Sequence, residues 1–91
     1  MTDISTILKR FGLPEYGGVQ EGRLVLFEVI PADLAQVMTT LYRERGLRLK
    51  TIAASDERAG RGSYRIHYVF GVPGEDLFLV PFISVSQEHP E

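Results

Sequence analysis

The spacing of apolar positions along the chain changes period several times, and each change predicts an element. Residues 2–11, TDISTILKRF, carry Ile4, Ile7, Leu8 and Phe11 at helical spacing behind Thr2 or Asp3 as a cap. This predicts a short amphipathic helix over 3–10, ended by Gly12, with Lys9 and Arg10 at the negative end of its dipole. Pro14, Gly17, Gly18 and Gly22 then turn the chain, with room for a short strand around Val19. RLVLFEVI, residues 23–30, is apolar on both faces apart from Glu28, so it reads as a central strand that Pro31 stops. From Ala32 onward, Leu34, Val37, Met38, Leu41 and Tyr42 fall on one helical stripe, which predicts a helix over 32–45 with Gly46 as its C-terminal cap. Asp33 in its first turn and Arg43 and Arg45 in its last suit the macrodipole. LRLKTIAAS, residues 47–55, reads as a strand whose parity slips between Leu49 and Ile52, the mark of a bulge.

The two apolar runs of SYRIHYVFGVPGEDLFLVPFISV, residues 63–85, flank Pro73-Gly74, a pair suited to the centre of a type II turn. They predict a β-hairpin. With the turn setting the register, Phe70 faces Leu77, Tyr68 faces Leu79, Ile66 faces Pro81 and Tyr64 faces Ile83 on the core side. On the other side Val69 faces Phe78, His67 faces Val80 and Arg65 faces Phe82, a mixed surface that suits a partner contact. The element order is α-β-(β)-α-β-β-β. It predicts an α+β fold of two layers, a mostly antiparallel sheet of four to five strands with both helices on one face.

Ninety-one residues bound this to one domain, 1–91, with a thin core. With 44% apolar and 24% charged residues the composition is that of an ordinary globular domain. The absence of cysteine excludes disulfides and cysteine-held zinc or iron–sulfur clusters within this chain. A net charge of −2, evenly spread, argues against a nucleic-acid partner. No apolar run approaches the roughly 20 residues of a membrane span, and Asp3 precedes any apolar stretch, so the expected location is the cytoplasm without membrane insertion.

Little in the sequence carries chemistry. His67 and His89 are the only histidines and neither has a carboxylate or second histidine at ligand spacing, so no metal or catalytic set is expected. No phosphate-binding glycine pattern and no nucleophile elbow is present, and no cofactor is expected. Phe27, Tyr64, Tyr68, Phe70, Phe78 and Phe82 lie at strand spacing, where packing explains them. The loop from Asp56 to Gly62 is charged and glycine-rich, as solvated loops are. Arg43, Arg45, Arg48 and Lys50, diluted by Glu44, make a local basic patch without interleaved aromatic residues, better suited to an acidic protein surface than to RNA or single-stranded DNA.

The segments LVLFEVIPADLAQVMTTLYRERGLRLKTIAASDE and YRIHYVFGVPGEDLFLVPFISVSQEHPE resemble the thirty-kilodalton subunit family of NADH:quinone oxidoreductase. The similarity is closest to the version at the N-terminus of the large subunit of formate-hydrogenlyase-type [NiFe] hydrogenases. The family's strand, proline, amphipathic helix, strand ending in Asp, tyrosine-spaced strand and final apolar strand match Pro31, Leu34 to Leu41, Asp56, Tyr64, Tyr68, Phe70, Leu77 to Val85, and Glu88-His89-Pro90. The resemblance spans residues 23–91. The family's diagnostic segment, Trp/Tyr-Glu-Arg-Glu followed by Asp-Leu-Phe/Tyr-Gly, does not occur in it, so no functional residue carries over.

What the resemblance implies is an accessory domain seated on the large or quinone-site subunit of a hydrogenase or NADH dehydrogenase complex, with flavin, clusters and nickel–iron bound elsewhere. The candidate contact residues are Arg65, His67, Val69, Phe78, Val80 and Phe82, a face that could equally pair two copies of the chain as a homodimer. Two other classes stay open. A small regulatory ligand-binding domain would need a closed apolar pocket between helices and sheet. A stand-alone enzyme would need His67 to meet Asp56 or Glu28 in a cleft.

Overall fold

A computed structural model describes residues 4–56 and 63–86. They form a five-stranded sheet with helices packed on one face, the α+β two-layer arrangement expected from the apolar pattern. The first helix, α1 (Ser5–Arg10), ends where the amides of Gly12 and Leu13 bond back to the carbonyls of Lys9 and Leu8, with Leu8 and Leu13 both buried. The expected Thr2 or Asp3 cap lies outside the described residues. The turn segment does hold a strand, β1 (Gly18–Glu21), hairpinned to β2 (Leu24–Glu28).

Pro31–Asp33 opens a helical run in 3₁₀ geometry, α2 (Leu34–Thr39) follows, and Thr40–Glu44 closes it as a wider π turn in which the Arg45 amide reaches the Thr40 carbonyl. Gly46, at φ +71°, stops it as the capping pattern predicts. Val37 and Leu41 on the inner line of the stripe are buried, Leu34 and Met38 are half-buried, and Tyr42 at its outer edge is exposed.

The remaining strands are β3 (Arg48–Asp56), β4 (Ser63–Gly71) and β5 (Phe78–Ser86). The spatial order is β1-β2-β5-β4-β3. Three of the four pairings are antiparallel and β2–β5 is parallel, so β5, the last strand in sequence, is the middle of the sheet. The parity slip of β3 is a real irregularity, located between Leu49 and Thr51.

One face of the sheet presents Val25, Phe27, Leu79, Pro81, Ile83 and Phe70 to Ile4, Leu8, Val37 and Leu41 of the helices, and this is the main core. The tip of the β4–β5 hairpin is held at both flanks, by an ion pair from Arg10 to Glu75 and by Arg23 to Asp76 at 2.9 Å.

The hairpin register differs from the sequence expectation. Phe70 pairs with Leu79, Ile66 with Ile83, Tyr64 with Val85, His67 with Phe82 and Arg65 with Ser84, each two residues further along β5 than expected. The turn itself is as predicted, with the Glu75 amide bonded to the Val72 carbonyl and Gly74 at φ +77°. A type II turn does not match the twist of a two-residue hairpin. Glu75 and Asp76 therefore join the loop, which the Val72 amide closes on the Leu77 carbonyl. Because the loop grows by two residues, every side chain keeps its predicted face.

Candidate functional site

The second face of the sheet carries no helix. By strand register it holds Val19 of β1, Leu24, Leu26 and Glu28 of β2, Phe78, Val80, Phe82 and Ser84 of β5, and Arg65, His67 and Val69 of β4. The six residues singled out in the sequence thus do share one surface, as strand alternation requires. Their exposure is uneven. Arg65, His67, Val69 and Phe78 are half-buried, whereas Val80 and Phe82 are only 3% and 8% exposed.

Phe82 is the centre of the group. Its ring carries the Arg65 guanidinium, 5.1 Å from the centroid, and the His67 imidazole, with centroids 5.2 Å apart at 35°. A cation over an aromatic face is favourable and the arginine stem covers apolar surface, so the charge lies on the phenyl group instead of being placed opposite it in register. On the other side of Phe82, Glu28 accepts a hydrogen bond from the Ser84 hydroxyl at 3.2 Å. Together with Gly17, Gly18, Val19, Glu21 and Leu26, the side chains of Glu28, Arg65, His67 and Phe82 line an open depression of about 350 Å³.

Sequence reasoning missed the contribution of β1 and β2. The alternation Leu24, Leu26, Glu28 was visible, but which strand lies beside β5 is a long-range fact that alternation does not carry.

The geometry bears on chemistry directly. His67 and Glu28 both register with Phe82, from β4 and β2 respectively, so a whole strand stands between them, roughly 10 Å of backbone separation. Asp56 registers with Tyr64, three residues from His67 along β4. No hydrogen bond joins the Glu28 carboxylate to His67, as proton transfer at about 3 Å would need. Among the described residues no group of three His, Asp or Glu side chains converges as metal ligands would. The space between helices and sheet is filled by Leu8, Phe27, Val37, Leu41, Phe70 and Leu79, all essentially inaccessible. His89 and the loop 57–62 lie outside the described residues.

A half-buried polar pair marks the far end of the core. Tyr16 stacks on Phe27, with centroids 5.9 Å apart, and donates to the Asp33 carboxylate at 3.1 Å. Burial, and then the bond to Asp33, push the Tyr16 phenol above its ordinary range. No protein-family model matches the chain, and no curated protein matches its sequence.

Proposed function

We propose that this chain is a non-catalytic docking domain that seats the large or quinone-site subunit of an NADH:quinone oxidoreductase or energy-converting [NiFe] hydrogenase complex through the open face of its sheet. The observation that carries docking is the face without a helix, on which half-buried Leu26, Val69 and Phe78 surround the buried Val80 and Phe82. Phe82 under Arg65 and His67, with Glu28 at the border, has the anatomy of an interface, an aromatic–arginine centre with polar groups at the rim. The kind of complex rests on the resemblance over residues 23–91. This reading puts the domain on the cytoplasmic side of the membrane, with membrane attachment supplied by other subunits. No helix among the described residues is long and apolar enough to cross a bilayer.

The test is co-purification with the large subunit of such a complex from the same genome. Phe82→Asp is a poor probe, because at 8% exposure the carboxylate would be buried and the fold itself would suffer. Leu26→Lys combined with Val69→Glu changes half-buried positions on the same face. Recovery of the partner by this folded double variant should fall at least about tenfold, equivalent to roughly 1.4 kcal/mol. Undiminished recovery would remove the face from the interface. A concentration-dependent dimer abolished by the same pair would assign the face to a second copy of the chain.

A further inference from the structure

The sheet has two edges, and they are managed differently. The β1 edge is four residues long, whereas β3 runs for nine and, among the described residues, pairs only with β4. Edge strands expose unpaired backbone groups, and proteins usually blunt them with bulges, lysines or short length. The first part of β3 is blunted in this way, by Arg48, Lys50 and the irregularity between Leu49 and Thr51. Past it, Thr51-Ile52-Ala53-Ala54 is uncharged, free of proline and exposed, with Ile52 at 55%.

Beside this edge lies a groove of about 270 Å³ between the helical run and β3, lined by Met38, Thr39, Tyr42, Arg43, Leu49 and Phe70. Tyr42 and Leu49 are 65% and 40% exposed. Leu49 and Ile52 register with Phe70 and Tyr68, so both belong to the helix-side face of the sheet and continue the groove along the strand.

The third observation is charge. Arg10 and Arg23 are paired with Glu75 and Asp76, but Arg43, Arg48 and Lys50 have no ion-pair or hydrogen-bond partner among the described residues. Arg43 stands on the groove, and Arg48 and Lys50 line a second depression with Gly71 and Phe78. Among the described residues the start of β3 is therefore flanked by cations that no ion pair holds, with Glu75 at the border of the Arg48–Lys50 depression, on a chain whose net charge is −2. Glu44 is the nearest acid in sequence, and Glu75 is already held by Arg10.

We propose that the free edge of β3 accepts an extended acidic-apolar segment of a partner protein as a sixth strand. Backbone bonds to the Thr51–Ala54 stretch supply affinity, alternate apolar side chains enter the groove under Tyr42, and carboxylates meet Arg43, Arg48 and Lys50. The three cations, without an ion-pair partner among the described residues, select an acidic occupant. Arg48 and Lys50 adjoin the open face at Phe78, but the backbone edge and the groove by Tyr42 lie apart from Phe82, so the two sites are tested separately.

The probe is a short fluorescein-labelled peptide alternating valine and glutamate, with a valine–lysine peptide of equal length as control, titrated into the full chain and followed by anisotropy. The glutamate peptide should bind at least about tenfold more tightly, weaken with added salt, and shift the backbone amides of Thr51, Ile52 and Ala53 and the methyl group of Met38 in heteronuclear NMR spectra. Arg48→Glu with Lys50→Glu, both exposed positions, should reverse the preference. Equal affinity for the two peptides, no binding of either, or shifts confined to the open face around Phe82 would overturn the proposal. So would a concentration-dependent dimer broadening the same β3 amides, which would give the edge to a second copy. The wild-type shift map decides the location even if a variant fails to fold.

Discussion

At the scale of single residues, Tyr16 is a side chain whose protonation is tied to the fold. Its ring lies on Phe27 and its hydroxyl donates to Asp33. Tyr16→Phe keeps the stacking and removes the hydrogen bond, so it should cost about 0.5–1.5 kcal/mol at neutral pH. Because the folded state holds the phenolic proton more tightly than the unfolded chain, this contribution is complete below the ordinary tyrosine range and is lost as pH rises through the elevated folded value. Thermal melts should therefore show wild type above Tyr16→Phe at neutral pH and the gap closing at strongly alkaline pH. A gap independent of pH would contradict the assignment. Glu75 has the opposite sign. The Arg10 guanidinium holds its carboxyl below the usual glutamate range, so what it contributes is present above that range and lost on acidification. Both partners are exposed, so the effect is small.

At the scale of elements, the helical run shows how a sequence stripe becomes packing. Val37 and Leu41 sit at the inner line against Phe27, Phe70 and Leu79, while Met38 and Tyr42 overhang β3 and leave a groove. Leu41→Ala should destabilise by about 2–5 kcal/mol, since a fully buried leucine leaves a cavity that rigid neighbours cannot close. Denaturant titration would read this as a lower midpoint at unchanged slope. Tyr42→Ala, by contrast, should leave the midpoint nearly unchanged, because the ring is mostly in solvent. The hairpin carries the corresponding lesson for strands. Its two faces follow from alternation alone, but its pairing depends on how a type II turn is accommodated, and that added Glu75 and Asp76 to the loop.

At the scale of the whole molecule, the described residues form a sheet with one face filled by helices, and the two proposed partner surfaces are the face around Phe82 and the edge of β3 away from β4. Purified chain is expected to be redox-silent, with no flavin or cluster absorbance and no NADH oxidation with artificial acceptors, since the sequence has no cysteine and no pair of histidines at ligand spacing. A stoichiometric bound chromophore would overturn this. Local period and chain-breaking residues determined the elements, the Gly46 stop, the slip in β3 and the side of the sheet each residue occupies, because those depend only on geometry within a few residues. Tertiary structure alone decided that β2 lies parallel beside β5, that Leu24 and Leu26 extend the candidate face, and that Glu28 stands a strand away from His67. It also decided that Arg65 and His67 close over Phe82. Which strands become neighbours is set by how the two helices and the sheet together bury the most apolar surface, a property of the assembled chain that no local window contains.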